Sequence, residues 1–412
     1  MSGLGVQRVD LRRLLAAVEE APPVEVVDVL AAELAEMVDA SHVSLLIANF
    51  SGDAVVRLSH VSRKRGLRDG HNERVESLPL SESIYPSILS SQGVEVVPDG
   101  DSWLVLLPVT ERGDAIGIFE LSLPEQPDGE TIDYLVAAAH ALAYALIASR
   151  RHTDLFEWAQ RDIPFSLAAE LQRRLLPSAY TAECGSFTIA GWLEPAHDAG
   201  GDTFDYSVDR EHLYASITDA MGHSTEAALL ATIAVGSLRN SRRALAPPAE
   251  QADMANASLT THARADQFVT GQLIRIRLAD GAAELVNAGH PQPYLVRDGR
   301  PVMLDLAAEA PLGVKTGHYT AQALQLRPGD RLLFVTDGYL ERSAAEVDIE
   351  AILAATLDRH PRQIVRELAR NVVQTTGGTL SDDATAVCID WYGSAGRRDA
   401  IGGASHARAT TS

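Results

Sequence analysis

Cysteine is almost absent from this sequence, which has only Cys184 and Cys388 in 412 residues. Two thiols so far apart form neither a disulfide framework nor a zinc cluster, which favours a reducing compartment. The first ten residues are mixed rather than basic and then apolar, and the longest apolar run, Leu135 to Ala148, contains His140 and is too short for a membrane span. We therefore expect a cytoplasmic protein without a membrane anchor.

Basic residues are also scarce, since 35 of them face 56 acidic residues and give a formal charge of -21. This excess of negative charge disfavours nucleic acid and anionic membranes as partners, because both would be repelled at long range. A role in solubility alone is an equally good explanation of the acidity. The hydrophobic share of 46% is that of an ordinary globular protein, and the length suggests two or three domains.

Residues 1–150 show a pattern of helix, strands and helix. Apolar residues at helical or strand spacing mark these segments: helices at Val24 to Val38 and Ile132 to Ala148, and strands at Val43 to Asn49, Ala54 to Val61, Leu104 to Val109 and Ala115 to Leu121. Turn residues separate the strands of each pair, Ser51-Gly52-Asp53 in the first and Glu111-Arg112-Gly113-Asp114 in the second. The order resembles a GAF domain, a small sensor fold with a central antiparallel sheet. Leu107-Pro108-Val109 followed by Gly117-Ile118-Phe119 is similar to its last hairpin.

Residues 151–180 read as an amphipathic helical linker that Pro164 interrupts. Proline lacks the backbone donor and clashes with the preceding turn, so we expect a kink or break there. Beyond it, Leu167, Leu171 and Leu175 share one helix face, for packing or for signalling. Strands and helices then alternate unevenly over residues 181–393, which predicts an α+β domain, and the tail 394–412 is expected to be disordered.

Two aspartates of this domain are predicted to meet on one hairpin. Asp202 opens the strand Thr203 to Ser207 and Asp219 closes the strand His212 to Thr218. The midpoint between them falls in the polar stretch Asp209-Arg210-Glu211, which is the expected turn. A hairpin folded there places the two carboxylates side by side on neighbouring strands.

A second pair repeats this arrangement. Asp337 ends the strand Arg331 to Thr336, and Asp382 begins the strand Ala384 to Trp391. If these strands are antiparallel neighbours, four carboxylates gather at one rim and repel each other unless cations neutralise them. Oxygen ligands without histidine or thiolate suit magnesium or manganese. Two such ions activate water and neutralise a phosphoryl group.

The sequence motifs around the aspartates resemble those of one protein family. They occur in the order Gly200-Gly201-Asp202-Thr203-Phe204-Asp205, Thr218-Asp219-Ala220-Met221-Gly222-His223, Asn287-Ala288-Gly289-His290-Pro291, Val335-Thr336-Asp337-Gly338 and Asp382-Asp383-Ala384-Thr385. Together they closely resemble the SpoIIE-like branch of the metal-dependent (PPM, type 2C) protein serine/threonine phosphatases. Leu171-Gln172 and Leu175-Leu176-Pro177 are similar to the helix that often precedes that domain.

The resemblance implies an α-β-β-α sandwich with two Mn2+ or Mg2+ ions at one edge. Asp219 would bridge both ions, the backbone carbonyl of Ala220 would be a further ligand, and Asp337 and Asp382 would complete the set. Asp202 would bind directly or through water. Water activated by the metals would attack the phosphate, so no phosphoenzyme is expected.

Other residues near these motifs have less certain roles. Asp205 is expected to support the ligands or to serve the turn, His223 either contacts the site or only starts a helix, and His290 is expected to be structural. Glycine allows close backbone approach at Gly200 and Gly201. Ser224 stands where the family often has glycine, and as a good helix cap it should not impair activity.

The phosphate needs a counter-charge, but no arginine occurs between Arg174 and Asp202, where larger type 2C enzymes have one. This fits the SpoIIE-like branch and implies that the metals carry most of the phosphate binding. Lys315 and Arg331 cannot be placed from sequence.

The resemblance also implies a substrate, a phosphorylated anti-sigma-factor antagonist of the STAS type, and control by a signal or partner at the GAF-like domain through the linker. A homodimer through the N-terminal helices is compatible with the pattern. Two alternatives remain: an inactive phosphatase fold that only binds partners, and another carboxylate-metal hydrolase such as a phosphodiesterase. Intact aspartates disfavour the first, and the lack of histidines among the ligands disfavours the second.

Overall fold

The structure is a computed structural model, and it describes residues 10–49, 54–62, 76–80, 83–161, 165–196, 200–264, 266–340, 347–377 and 380–394. The chain divides into two compact units, Met1–Pro164 and Phe165–Arg398. This division falls inside the predicted linker, while the predicted domain limits stay predictions. The expected break at Pro164, the turn at 51–53 and nearly all of the expected disordered tail lie outside the described residues.

The first unit is built on a six-stranded antiparallel sheet with the order β3-β2-β1-β6-β5-β4. Its strands are β1 His42–Ala48, β2 Ala54–Ser62, β3 Glu76–Pro79, β4 Glu95–Asp99, β5 Ser102–Glu111 and β6 Asp114–Leu123. Its helices are α1 Leu11–Glu20, α2 Val26–Met37, α3 Tyr85–Ser91, α4 Gly129–Ser149 and α5 Leu155–Ala159. Both predicted strand pairs form antiparallel partners.

Each face of this sheet has its own apolar core. Alternate strand residues such as Val43 and Leu45 pack with α1, α2 and α4 on one face, and Leu46 and Ile118 pack with Ile88 of α3 on the other. This alternation follows from the two-residue period of a strand. The β5–β6 turn has positive φ at Arg112 and Gly113, as two-residue hairpins require. The resemblance to a GAF domain stays a prediction.

Helix α4 is the one helix in the described parts of the chain whose length and hydropathy would allow it to cross a membrane. It begins earlier than the apolar run in the sequence, because Asp128 caps it through the backbone N–H of Thr131. A core helix of a globular unit passes the same test, and Leu135, Leu142 and Leu146 are buried against the sheet.

The second unit contains two antiparallel sheets, with the orders β15-β12-β11-β10-β9 and β14-β13-β16-β17-β8-β7. The strands are β7 Thr181–Cys184, β8 Phe187–Glu194, β9 Thr203–Val208, β10 His212–Ala220, β11 Val269–Arg277, β12 Ala282–Ala288, β13 Tyr294–Arg297, β14 Arg300–Met303, β15 Gln322–Gln325, β16 Arg331–Val335 and β17 Ala384–Trp391. The helices are α6 Leu167–Leu175, α7 Ser224–Arg243, α8 Pro248–His262, α9 Ile349–Ala355 and α10 Pro361–Thr375, with a 3-10 turn at Asp337–Tyr339.

The two sheets pack face to face, and helices cover both outer faces. Phe204 and Ile217 from one sheet and Phe334 and Val387 from the other form the central core. Helices α7 and α8 pack on the five-stranded sheet, and α9 and α10 on the six-stranded sheet. The predicted sandwich of two antiparallel sheets between helical layers is therefore confirmed for this unit.

Candidate metal centre

The first predicted carboxylate pair lies where the sequence placed it. Strands β9 and β10 pair with Thr203 opposite Thr218, and the ladder continues outward because the backbone N–H of Ala220 donates to the carbonyl of Gly201 at 3.3 Å. The same register sets Asp202 opposite Asp219. The hairpin turns at residues 209–211, as predicted.

The second pair also meets at one end of a sheet. Strands β16 and β17 pair with Val335 opposite Ala386, and the backbone N–H of Thr336 donates to Thr385 at 3.0 Å. Asp337 follows Thr336 just beyond the end of β16. Asp382 lies two residues before the start of β17. Gly338 lies so close to the backbone of Asp383 that a Cβ atom there would stand 2.0 Å from its carbonyl oxygen. The predicted juxtaposition of these strand ends is confirmed.

A single side chain joins the two pairs across the sandwich. Asp202, at the edge of the five-stranded sheet, accepts hydrogen bonds from Thr336 Oγ1 and Thr385 Oγ1 of the six-stranded sheet, both at 2.7 Å. Its side chain is buried, with the residue 2% exposed. Both carboxylate pairs therefore lie at the same rim, which we call the acidic rim: Asp202, Asp219, Asp337, Asp382 and Asp383.

Two buried carboxylates of the acidic rim, Asp202 and Asp383, have like-charged neighbours. Burial raises the pKa of Asp202 well above its ordinary value, and the charges of Asp219 and Asp383 raise it further, while the two threonine hydroxyls offset only part of this effect. Burial also raises the pKa of Asp383, with Asp382 as a like-charged neighbour. Such clustering is typical of carboxylates that share a cation.

The backbone around the rim keeps space that any side chain would fill. A Cβ atom on Gly201 would come within 2.3 Å of the carbonyl oxygen of Ala220, and one on Gly200 within 2.7 Å of Asp383 Oδ2 and 3.3 Å of Asp382 Oδ1. Carboxylate and carbonyl oxygens are the donors that Mg2+ and Mn2+ prefer. The donor set and this glycine cradle therefore fit hard divalent cations.

The rim does not yet form a closed coordination site. Over the described ranges, no three His, Cys, Asp or Glu side chains are grouped closely enough to hold an ion as they stand. The residues that would hold cations are Asp219, the Ala220 carbonyl, Asp337 and Asp382. Asp202 would act directly or through water, and its contacts with two threonines favour the second of these roles.

Asp205 turns out to face away from the rim, toward the helical layer. Its carboxylate accepts from Arg239 at 3.0 and 3.1 Å and from Arg242 at 2.9 Å, both on α7. Arg239 also donates to the carbonyl of Leu175 at the end of α6. The side chain thus ties β9 to α7 and, through Arg239, to α6, rather than supporting the expected metal ligands.

The expectation that Ser224 caps a helix is wrong. The cap position is His223, which makes no side-chain capping bond, and Ser224 is the first helical residue with φ of 71°. That left-handed conformation favours glycine and disfavours a residue with a Cβ atom. The chain reaches this bend after Gly222, at φ of 92°, so the sequence misplaced the cap by one residue.

The remaining candidates are structural in this fold. His290 is buried in a turn where Asn287 hydrogen-bonds both its N–H and its carbonyl, and burial lowers the pKa of its imidazole to about 3. Arg331 forms a buried ion pair with Asp390, and Lys315 pairs with Glu309. Both basic residues are therefore paired with carboxylates of the protein.

Sequence reasoning missed two polar residues that contact the rim. Asp383, which is 1% exposed, accepts hydrogen bonds from Gln172 of α6 and from the backbone N–H groups of Ala196 and Gly200. The adjacent Asp382-Asp383 pair was visible in the sequence, but only one of the two was singled out. Gln172 was noted only within Leu171-Gln172, which resembles part of the helix that often precedes the family's domain, and no role was assigned to it.

Comparison with known proteins gives a consistent result for this unit. Residues 209–392 match the family described as Stage II sporulation protein E (SpoIIE), a stretch that includes Asp219, Asp337 and Asp382. The Phosphoserine phosphatase RsbP of Bacillus subtilis (strain 168) is 24% identical over 236 residues, which are 54% of this chain and 57% of RsbP. The chain therefore spans little more than half the length of that relative.

Two solved structures are also similar. The RsbU and RsbW domains of Rv1364c from Mycobacterium tuberculosis align with a TM-score of 0.46 and 24% identity over 50% of this chain and 60% of that chain. The PP2C phosphatase domain of SpoIIE from Bacillus subtilis aligns with a TM-score of 0.44 and 19% identity over 50% and 65%. The SpoIIE family match and the RsbP relative support the PPM branch of protein phosphatases for the C-terminal unit.

Proposed function

We propose that the C-terminal unit is a metal-dependent protein serine/threonine phosphatase. The observation that supports this most is the acidic rim, where carboxylates from two sheets converge and Asp202 links those sheets through Thr336 and Thr385. Clustered like charges destabilise a fold, so the convergence of these carboxylates favours a cation-binding function.

In this proposal Asp219, the Ala220 carbonyl, Asp337 and Asp382 hold two Mn2+ or Mg2+ ions. Bound there, divalent cations activate water for attack and neutralise charge on the phosphoryl group. Asp202 holds the two sheet edges in register, and Gly200 and Gly201 leave room for the carbonyl and carboxylate oxygens. Since Arg331 and Lys315 are engaged elsewhere, phosphate binding falls mainly to the metal centre.

The proposed substrate is phosphoserine or phosphothreonine on a regulatory protein, an anti-sigma-factor antagonist of the STAS type. The resemblance to the SpoIIE-like branch supports this class, as does the match with a relative named a phosphoserine phosphatase. The negative charge of the chain disfavours nucleic acid as an alternative partner.

We further propose that the N-terminal unit is a GAF-like sensor that controls the phosphatase through the linker, with a homodimer through its helices. A signal bound by the sensor would reposition the helical segment and alter the order of the metal centre. Deleting residues 1–150 should then change Mn2+ affinity or turnover. Unchanged kinetics would contradict control by the sensor but would not contradict the proposed phosphatase activity.

A Mn2+-dependent phosphatase assay on a phosphoserine peptide tests the activity. Wild type should hydrolyse the peptide only with metal, and Asp219→Asn should lose about 1000-fold in turnover, because removing the bridging charge costs about 4 kcal/mol of transition-state stabilisation. Glu211→Gln, an exposed acid-to-amide change in the turn of the same hairpin, serves as the matched control.

Two other results would redirect the proposal. A wild type with no hydrolysis under any divalent metal would favour the inactive, partner-binding fold. Metal-dependent cleavage of a phosphodiester but not of the phosphoserine peptide would favour the phosphodiesterase alternative.

A further inference from the structure

Helix α6 presents a buried polar side chain to the acidic rim. Its buried face consists of Ala168, Gln172 and Leu175, at the i, i+4, i+7 spacing of one helix face, whereas Leu167 of the predicted leucine stripe is 63% exposed. Ser166 caps the helix start and Arg239 binds the carbonyl at its end. A glutamine only 4% exposed on such a face needs hydrogen-bond partners, since an unpaired buried amide is costly.

The partners of Gln172 belong to both sheets. Its Nε2 donates to the backbone carbonyl of Asp202 at 2.9 Å and to Asp383 Oδ2 at 2.5 Å. Asp202 precedes β9 of the five-stranded sheet, and Asp383 precedes β17 of the six-stranded sheet. One amide group therefore joins the two sheet edges beside the predicted metal ligands.

Asp383 also forms hydrogen bonds with residues near the predicted metal ligands. Its Oδ1 accepts from the backbone N–H of Ala196 at 2.8 Å and its Oδ2 from that of Gly200 at 3.1 Å. Its own backbone N–H donates to Asp382 Oδ1 at 2.8 Å. A shift of the Asp383 carboxylate would therefore disturb both the glycine cradle at Gly200 and the expected ligand Asp382.

We propose that Gln172 is a positioning residue of the metal centre, which acts through Asp383 to hold Asp382 and Gly200 where cations bind. The inference rests on the proposed function and deepens it. It assigns to α6, the first helix of the C-terminal unit, a specific contact through which movement of that helix weakens ion binding.

The test compares full-length variants in direct Mn2+ binding by calorimetry. Gln172→Ala removes the amide, and Gln172→Met keeps a side chain of similar length without the donors. Both should weaken Mn2+ binding by about tenfold or more, as loss of a residue that orients a metal ligand typically does. Turnover at saturating Mn2+ should stay within about threefold of wild type. Arg174→Ala, an exposed change on the same helix, is the matched control and should leave Mn2+ affinity unchanged.

A double-variant cycle checks the route of the effect. If Gln172 acts through Asp383, Gln172→Met combined with Asp383→Asn should bind Mn2+ no more weakly than the more damaged single variant, because the two changes break one interaction. Thermal melting of each Gln172 variant in EDTA measures its stability without metal. A variant that is as stable as wild type in EDTA should still bind Mn2+ more weakly.

Several results would overturn the inference. Wild-type Mn2+ affinity in Gln172→Met would show that the side chain only packs. Additive losses of affinity in the double variant would exclude a route through Asp383. A similar loss in Arg174→Ala would indicate a general effect of the helix. The proposed function fails separately, when wild type binds Mn2+ but hydrolyses no phosphoprotein. A wild type that binds no Mn2+ contradicts both.

Discussion

Buried carboxylates in the two units have opposite environments. In the first unit, Glu120 of β6 accepts from Arg57 at 2.6 Å and from Tyr85 at 2.7 Å, and His42 lies 3.4 Å away. Burial alone would raise the pKa of Glu120, but these three partners together lower it to about 2. In the second unit, the partners of Asp202 are neutral hydroxyls, its charged neighbours are acidic, and its pKa is raised.

Asp205 has the opposite environment to Asp202, although the two residues lie close together in the sequence. It lies three residues after Asp202 and pairs with Arg239 and Arg242. The fold thus supplies basic partners to a carboxylate that ties elements together, whereas the charged neighbours of Asp202 are other carboxylates. Glu120 and Asp205 therefore have a basic counter-charge within the protein, whereas the charged groups near Asp202 are acidic, which fits the proposed binding of cations at the acidic rim.

The largest effect on stability is expected at Glu120. Its lowered pKa stabilises the first unit above about pH 4.5 by about 3 kcal/mol, and this contribution disappears as the pH falls through the folded pKa near 2. Between pH 6 and pH 3 the amides of β1 and β6 should lose about 2 kcal/mol of protection in hydrogen exchange. Glu120→Gln should lack this component of the pH dependence, whereas Glu95→Gln on the exposed edge strand should retain it. An equal pH dependence in both variants would break the comparison.

A smaller effect separates Asp205 from Asp202. In EDTA, Asp205→Asn should lower the free energy of unfolding of the second unit by about 2 kcal/mol, because it leaves two arginines without their carboxylate. Asp202→Asn should be neutral or slightly stabilising, since the amide oxygen still accepts from both threonines and a repelled charge is gone. Thermal melting with and without Mn2+ checks both, and only Asp202→Asn should lose the stabilisation that Mn2+ gives. Equal destabilisation of the two variants in EDTA would contradict this account.

Local sequence patterns predicted the first carboxylate pair directly and the second pair on one condition. Asp202 and Asp219 flank a hairpin whose turn is marked by three polar residues, and a hairpin register is fixed by its turn. Asp337 and Asp382 stand at the ends of apolar strands, and their meeting was predicted on the condition that these strands are antiparallel neighbours, which they are. The layers of the sandwich came from the resemblance to the PPM family, because the local patterns predicted only an α+β domain.

Contacts between residues far apart in the sequence could not be predicted from local patterns. Gln172 and Asp383 are 211 residues apart, and each belongs to a pattern that makes sense without the other. In α6, leucine spacing pointed to one face, but the face with Ala168 is buried because two small residues, Ala168 and Ala228, let α6 approach α7 closely. At Ser224 residue preference suggested a cap, whereas the cap position is His223 and Ser224 has a φ of 71°.

Location of bound Mn2+ tests the central claim most directly. Crystals of the full-length protein grown with Mn2+ should show anomalous density for two ions at the acidic rim, in contact with Asp219, the Ala220 carbonyl, Asp337 and Asp382. Crystals of Asp219→Asn under the same conditions should lose that density. Absence of Mn2+ from the wild-type rim at saturating concentration, or ions bound only elsewhere, would contradict the account.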